Sequence, residues 1–411
     1  MLLQAPRQVD VMVYGATGFT GELVAQYLMQ RYGCGSGLDW AIAGRSTDRL
    51  EAVKRRLGSE AAELPVVVAD SNDAKTLASL AASTRVVLTT VGPYARYGSK
   101  LVAACVRAGT DYCDLAGEVQ WIRRMIDKHH DNATESGARI VHCCGFDSIP
   151  MDLGVRFLQQ EAQQRHGRYC REIALFVKAT KGAASGGTLA SMINTIEQVR
   201  ADRDIARMLA NPYALNPDGE RDGPDGRDQT NVVLDGDAGC WTAPFVMAVI
   251  NTRVVRRSHA LAGYPYGRDF RYREAVLTGS GTSGWLKGKG VTLALGGLVA
   301  GLSLEPTRKL LQALVLPSPG EGPDKAAREA GFFNLMQIGK LDDGTVMRTR
   351  ITGDRDPGYG STSKMLAESA VCLARDEPAT GGGVLTPAYA LGDSLLVRLR
   401  ENAGLTFDVV D

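Results

Sequence analysis

Three glycines near the start of the chain have the spacing of a phosphate-binding turn. The run Gly15-x-x-Gly18-x-x-Gly21 follows an apolar stretch at 9–14 and precedes residues 22–31, whose apolar side chains recur at helical spacing. A strand, a glycine turn and a helix in this order hold the pyrophosphate of a dinucleotide, because the helix N-terminus offers unpaired N–H groups and partial positive charge. We predict that the dinucleotide contacts Gly15, Thr17, Gly18, Phe19, Thr20 and Gly21.

The residues after the second apolar run, 40–44, indicate which dinucleotide binds. An NAD site places Asp or Glu near this point to hold the ribose 2′-hydroxyl, whereas this chain has Arg45 and Ser46. A guanidinium group binds phosphate through two hydrogen bonds, and a serine hydroxyl adds another. The pair therefore predicts NADP(H) rather than NAD(H). The alternative is that Arg45 is only a solvated residue at the start of a helix.

Two later segments are predicted to border the same cofactor. Asp70 follows a third apolar run and either faces the adenine or caps the next helix. Val91, Gly92 and Pro93 end a fourth run. In open parallel sheets the ligand lies outside the carboxyl ends of the strands, so we expect residues 91–93 to border the nicotinamide half.

The proton donor must come from a different set of residues. Hydride transfer to a polarised double bond leaves an enolate, which has to be protonated and stabilised. The Tyr-x-x-x-Lys pair of short-chain dehydrogenases does not occur in the chain. The predicted catalytic residues are Tyr94, Asp114 and Asp147, with Glu118 close to them in the same strand-end motifs. The alternative is that the carboxylates brace turns and Tyr94 packs on the cofactor.

The elements that must position these residues alternate regularly along the first 150 residues. Six strand-like runs, most of them apolar, are separated by helical stretches, which predicts an α/β fold with a Rossmann-type, doubly wound parallel sheet. The predicted strands are 9–14, 40–44, 64–69, 85–91, 109–114 and 138–143.

The chain resembles the saccharopine dehydrogenase-like oxidoreductases, and more narrowly their trans-acting enoyl reductase branch in actinobacteria. The resemblance rests on G-A-T-G-F-T-G, A-G-R-S, T-T-V-G-P-Y, Y-C-D-L-A-G-E and C-G-F-D-S-I-P, all within the first 150 residues, and extends to motifs near the C-terminus. It implies NADPH as cofactor. It also implies reduction of a C=C bond in a hydrophobic acyl or polyketide-type substrate for lipid or glycolipid biosynthesis.

Two other functions stay open. A saccharopine-type imine or amino-acid dehydrogenase would need basic residues that converge on substrate carboxylates. A non-catalytic NADPH-binding sensor or scaffold would bind the cofactor without turning it over.

The length of 411 residues predicts more than one domain. We expect an NADP-binding domain at 1–150, an α+β substrate or dimerisation domain with a mixed or antiparallel sheet at 151–384, and a segment at 385–411 that returns to the first domain. The strand-like runs of the second domain lie at 170–178, 245–251, 332–340 and 345–352, and a glycine turn at 185–188 opens a helix that we expect at 189–210.

Composition narrows the partners and the compartment. The net charge of +1 argues against a general nucleic-acid binder. The eight cysteines lack zinc-ligand spacing, so we expect no metal and a reducing compartment. Residues 1–7 do not have the apolar core of a signal peptide, which predicts a cytoplasmic protein. The expected partner is a hydrophobic small-molecule or carrier-bound acyl substrate, and Arg253, Arg256 and Arg257 either bind a carrier phosphate or form a polar face.

One uncharged apolar segment bears on localisation. Residues 291–304 are too few to cross a bilayer, which needs about 20 apolar residues. Trp285, Lys287 and Lys289 precede the segment, and Arg308 and Lys309 follow it. The segment is therefore either a buried helix, including one at a homodimer interface, a pocket lining, or a peripheral contact with the inner face of the plasma membrane.

Overall fold

The chain divides into two compact units. The computed structural model describes residues 7–35, 37–182, 186–314, 322–376 and 380–410. The first unit contains residues 1–146, 319–322 and 358–404, and the second contains residues 147–318, 323–357 and 405–411.

A parallel sheet forms the centre of the first unit. Its strands are β1 (Val9–Tyr14), β2 (Trp40–Gly44), β3 (Val66–Val68), β4 (Thr84–Thr89), β5 (Asp111–Asp114), β6 (Arg139–Val141) and β13 (Gly383–Leu385). They lie in the order β13-β6-β5-β4-β1-β2-β3, and every neighbouring pair is parallel. The predicted α/β fold with a Rossmann-type sheet is therefore confirmed.

Helices connect these strands. They are α1 (Phe19–Tyr32), α2 (Thr47–Leu57), α3 (Ala74–Ala82), α4 (Tyr94–Tyr97), α5 (Ser99–Ala108), α6 (Val119–Ser136), α14 (Thr362–Arg375), α15 (Pro387–Ala390) and α16 (Gly392–Asn402). In α1 the residues Val24, Ala25 and Leu28 are fully buried, as the helical spacing of apolar residues requires.

The segment that returns to the first unit is longer than the range 385–411 given above. It begins at Gly358, because α14 is buried along almost its whole length and packs against β1, β4 and β5. The last strand, β14 (Leu405–Val410), does not belong to the first unit, since it pairs with a strand of the second.

The second unit has a mixed sheet. Its other strands are β7 (Glu172–Lys181), β8 (Val233–Asp235), β9 (Cys240–Ala243), β10 (Arg271–Gly279), β11 (Phe332–Lys340) and β12 (Val346–Gly353). The order is β14-β12-β11-β7-β10-β9-β8. Only β7 and β10 run parallel, and the other neighbouring pairs are antiparallel. This confirms the predicted α+β arrangement with a mixed sheet.

The helices of the second unit correct one predicted strand. They are α7 (Ile149–His166), α8 (Gly186–Ala201), α9 (Arg203–Ala210), α10 (Ala248–Leu261), α11 (Gly281–Ser303), α12 (Glu305–Leu314) and α13 (Lys325–Glu329). The strand expected at 245–251 was wrong, because α10 begins at Ala248. Its buried residues Ile250, Val254 and Val255 recur at helical spacing, and a short β-branched run does not reveal that period.

The apolar segment 291–304 lies almost entirely within α11. Among the described residues, no helix combines the length and the apolar character needed to cross a bilayer.

Candidate functional site

The predicted phosphate turn joins β1 to α1 and requires glycine at two positions. Gly15 has φ +94°, in the left-handed region that favours glycine. A Cβ atom on Gly21 would lie 2.2 Å from the carbonyl oxygen of Gly15, so only glycine lets the helix approach the turn this closely.

The start of α1 is open to an anion. Gly18 is the N-cap residue and supplies no side-chain acceptor for the first N–H groups of the helix. Thr17, Phe19 and Thr20 flank this point, and the ring of Phe19 packs edge-on against Tyr359, with 4.7 Å between centroids. The helix therefore presents its unpaired N–H groups and the positive end of its dipole.

The end of β4 lies against the same turn. A Cβ atom on Gly15 would come within 2.7 Å of Cγ2 of Val91, and the hydroxyl of Thr90 donates to the Gly15 carbonyl at 3.4 Å. The structure thus brings the glycine turn and the predicted residues 91–93 together, as expected for neighbouring parallel strands.

Arg45 and Ser46 follow β2 at the same edge of the sheet. The hydroxyl oxygen of Ser46 accepts a hydrogen bond from the Arg49 N–H at 3.4 Å, which makes Ser46 the N-cap of α2. The side chain of Arg45 is exposed and has no ion-pair partner in the described part of the chain. An exposed, unpaired guanidinium beside a hydroxyl fits a phosphate ligand.

Asp70 follows β3 and does not cap the next helix. Its Oδ1 accepts from the N–H of Asn72 at 2.8 Å, and Asp73 caps α3 instead. Burial, together with the nearby charge of Asp70, raises the pKa of Tyr14 to about 12.

A buried carboxylate fixes the loop after β4. The peptide bond between Gly92 and Pro93 is cis. Glu118 is 1% exposed, and its two oxygens accept from the backbone N–H groups of Tyr94, at 2.7 Å, and Ala95, at 3.1 Å. Glu118 therefore holds the backbone directly after the predicted nicotinamide border.

The side chain of Tyr94 points into the protein. Its hydroxyl donates to the Thr89 carbonyl at 3.2 Å and accepts from the Leu115 N–H at 3.1 Å, and the residue is 5% exposed. Its ring stacks on Trp121 with centroids 5.5 Å apart. Burial, reinforced by the charge of Asp114, raises the pKa of Tyr94 well above its usual value.

Asp114 and His142 form a buried pair that ties β5 to β6. Oδ2 of Asp114 lies 2.7 Å from Nδ1 of His142 and accepts from the Tyr112 hydroxyl at 2.9 Å. Oδ1 accepts from the N–H groups of Ala116, at 3.0 Å, and Cys143, at 3.2 Å. Neither side chain of the pair is more than 2% exposed, so this carboxylate is already saturated by protein groups.

The sequence-based reasoning did not single out His142. Its Nε2 is buried and has no hydrogen-bond partner among the described residues. The signal was its place at the carboxyl end of a predicted strand, beside Cys143, where polar residues of such sheets often meet.

Asp147 begins the second unit, shortly after β6. No described residue makes a hydrogen bond or an ion pair with its carboxyl group. Burial raises the pKa of Asp147 to about 6. A carboxyl group whose pKa lies near 6 is partly protonated close to neutral pH and is suited to donate a proton.

Next to Asp147, a chain of buried polar groups holds the start of α7. The hydroxyl of Ser148 donates to Oδ1 of Asn251 at 3.2 Å, and Nδ2 of Asn251 donates to Glu274 at 3.0 Å. Tyr272 donates to the other Glu274 oxygen at 2.9 Å. Burial raises the pKa of Glu274 to about 8. No sequence pattern predicts these hydrogen bonds, because Ser148, Asn251 and Glu274 are far apart in the sequence.

The arginines of α10 stabilise a loop of the second unit. Arg256 pairs with Asp225 at 2.6 Å, and Arg253 pairs with Asp228 at 2.5 Å. The side chains of Arg253, Arg256 and Arg257 are at most 5% exposed. Arg257 donates to the Leu215 carbonyl at 2.5 Å. They are therefore not available to a carrier phosphate, which leaves the alternative of a structural polar face, here a buried one.

The glycine turn predicted at 185–188 is described only in part. Ser185 of the predicted glycine turn lies outside the described residues, and α8 begins at the next residue, Gly186. In the described part of the chain, no group of three or more His, Cys, Asp or Glu side chains is arranged to hold a metal ion.

The residues at the edge of the first sheet fit NADP(H). The glycines of the turn carry no Cβ atom, no side chain caps the start of α1, and Arg45 has no ion-pair partner among the described residues. Residues 11–141 match the family model of the saccharopine dehydrogenase NADP binding domain. The prediction of NADP(H) as cofactor is confirmed.

Comparison with known proteins extends the match to the whole chain. A provisionally named trans-acting enoyl reductase of Mycobacterium tuberculosis (strain ATCC 25618 / H37Rv) is 44% identical over 405 residues, which cover 96% of each protein. The trans-acting enoyl reductase of Mycobacterium ulcerans (strain Agy99) is 40% identical over 414 residues, which cover 97% of each.

A solved structure supports the fold. Apo saccharopine dehydrogenase (L-Glu forming) from Saccharomyces cerevisiae aligns with 98% of this chain and 100% of its own, with a TM-score of 0.53 and 13% identity. The resemblance noted from the motifs is therefore confirmed. The chain belongs to the trans-acting enoyl reductase family of saccharopine dehydrogenase-like proteins and is an NADP(H)-dependent oxidoreductase.

Proposed function

We propose that this enzyme is a trans-acting enoyl reductase that reduces a C=C bond in a hydrophobic acyl or polyketide-type substrate. The observation that carries the proposal is the 40% identity to the Mycobacterium ulcerans enzyme over 97% of both chains. Such a substrate belongs to lipid or glycolipid biosynthesis, and a trans-acting enzyme receives it from a separate carrier protein.

The first unit binds the cofactor through the groups described above. The turn at Gly15 and Gly21 and the start of α1 hold the pyrophosphate, Arg45 and Ser46 hold the 2′-phosphate, and Asp70 lies toward the adenine. Residues 91–93 border the nicotinamide, and Glu118 holds the next two residues, Tyr94 and Ala95, through their backbone N–H groups. When bound, NADPH supplies a hydride to the β-carbon of the enoyl group.

Asp147 is the group best suited to protonate the α-carbon of the resulting enolate. Of the three predicted catalytic residues, Tyr94 and Asp114 have hydroxyl and carboxylate atoms that are bonded to neighbouring protein groups. Asp147 makes no such bond to a described residue, and its pKa of about 6 leaves part of the population protonated near neutral pH. Asp147 gives its proton to the α-carbon and regains one from water. Tyr94 and Asp114, whose polar atoms are bonded to neighbouring protein groups, act as positioning residues.

We also place the protein in the cytoplasm, at the inner face of the plasma membrane. A hydrophobic acyl product partitions from water into this membrane. The exposed apolar residues of helix α11 support the membrane contact.

A cofactor and substrate panel tests the proposal. NADPH oxidation is followed at its absorbance maximum with α,β-unsaturated acyl thioesters of increasing chain length, and in parallel with a 2-oxo acid plus an amino acid. Turnover of the long-chain enoyl thioesters supports the proposal. Turnover of the oxo-acid pair alone would identify an imine dehydrogenase, and tight NADPH binding without any turnover would identify a sensor or scaffold.

A further inference from the structure

The helix α11 exposes an apolar face on the surface of the second unit. Leu293 is 73% exposed, Leu286 is 58% exposed, and Leu304, which follows the helix, is 56% exposed. Gly297 and Ala300 lie between them at helical spacing and are exposed too. We call these five residues the outer face of α11.

The opposite side of α11 is held by its own unit. A Cβ atom on Gly284 would lie 2.1 Å from the Gly279 carbonyl oxygen, and one on Gly288 would lie 3.0 Å from Val232. Leu302 is fully buried. Because this side is fixed, only the outer face remains to meet a partner, and the helix must lie along that partner's surface.

The composition of α11 indicates that its outer face is covered in the working protein. A helix that is apolar on all sides is normally buried in protein or in lipid. Seven of its 23 residues are glycine, a poor helix former in water. At Gly290, Gly296 and Gly297 an added Cβ atom would meet no atom within 4 Å apart from the neighbouring helix backbone, so there is open space beside these glycines.

The charges around the outer face favour one occupant. Residues 275–304 contain two lysines, Lys287 and Lys289, and no acidic residue. Both lysines are exposed, and the Nζ of Lys289 lies 5.7 Å from the ring centroid of Trp285. A second copy of the chain would bring the same two lysines, and the carboxylate that follows the helix, Glu305, is already paired with Lys309 at 2.8 Å. An anionic bilayer supplies both an apolar layer and phosphate groups, and Trp and Lys are common at its interface.

We propose that the outer face of α11, with Trp285, Lys287 and Lys289, docks the enzyme onto an anionic lipid bilayer. The inference deepens the membrane location given under the proposed function and does not depend on the reductase activity. The helix lies in the interface with Leu286, Leu293 and Leu304 among the acyl chains and the lysines at the phosphates.

Vesicle binding by the full chain, without NADPH or substrate, tests the inference. Co-sedimentation is measured with vesicles of phosphatidylcholine alone and with vesicles in which about half the lipid is phosphatidylglycerol. We expect binding to the anionic vesicles that weakens as salt rises. Leu293→Glu should weaken it about tenfold or more, and the double variant Lys287→Glu, Lys289→Glu should remove the preference for anionic lipid.

The control is Val397→Glu on α16 of the first unit, where the valine is 48% exposed. It should bind vesicles as the unmodified protein does. The proposal is overturned if the unmodified protein does not bind anionic vesicles, or if Leu293→Glu binds as well as the control. A lipid-free dimer that Leu293→Glu dissociates would assign the outer face to a second copy. Because no turnover is measured, these outcomes are independent of the enoyl reductase assay.

Discussion

Asp114 accepts a hydrogen bond across two strands of the first sheet from the ring of His142, with 2.7 Å between Oδ2 and Nδ1. Neither side chain reaches solvent. Every oxygen of Asp114 is used by the protein, whereas Nε2 of His142 has no partner among the described residues. The pair therefore stabilises the conformation of the loops that follow β5 and β6.

Replacing Asp114 by Asn should therefore affect stability before chemistry. Asp114→Asn places an amide N–H₂ where one carboxylate oxygen accepts two hydrogen bonds from buried donors, so we expect a loss of about 2–3 kcal/mol of unfolding free energy. Urea unfolding measures it, with the exposed Asp131→Asn on α6 as control. Unchanged stability combined with a loss of turnover would instead make Asp114 a catalytic residue.

Arg45 decides the cofactor preference if it binds the 2′-phosphate. Arg45→Ala should weaken NADPH binding by about 10- to 100-fold, since a charge-assisted hydrogen bond contributes about 1.5–3 kcal/mol, and should leave NADH binding unchanged. Calorimetry with both coenzymes measures the ratio. Arg124→Ala, an exposed arginine of α6, should change neither affinity, and an unaltered NADPH/NADH ratio in Arg45→Ala would refute the assignment.

The first unit was largely predictable from sequence because its signals are local. A strand, the glycine turn and a helix lie within one short stretch, and Gly21 has no room for a side chain. Alternating apolar runs then predict the parallel sheet. The polar ends of β2 and β4 follow from the rule that ligands lie at the carboxyl edge.

The roles of the polar residues were not predictable, because they depend on contacts between distant segments. Nothing in the sequence shows that the Tyr94 hydroxyl bonds to Thr89 and Leu115, or that Asp114 meets His142. In the second unit, the same holds for the hydrogen bonds that link Ser148, Asn251 and Glu274. The sequence shows which groups can do chemistry, and only the fold shows which of them are already engaged.

Glu274 should make the stability of the second unit depend on pH. Its pKa rises from 4.5 in the unfolded chain to about 8 when buried, so the folded state binds the proton more tightly. The stabilisation is complete below pH 4.5 and is lost as pH rises toward about 8, an effect on the order of a few kcal/mol. Thermal unfolding across this range should show the decline in the unmodified protein and a flatter profile in Glu274→Gln. If the exposed Glu329→Gln flattens the profile equally, Glu274 is not the cause.

The pH dependence of turnover tests the role of Asp147. A general acid must be protonated, and its pKa is about 6, so kcat with an enoyl thioester should fall about tenfold per pH unit above that value. Asp147→Asn cannot donate this proton and should lower kcat by about 10²- to 10⁴-fold while leaving NADPH affinity unchanged. The matched control is Asp204→Asn, whose side chain is 81% exposed on α9. A flat profile from about pH 5 to 8, or full turnover by Asp147→Asn, would mean that the proton comes from another group.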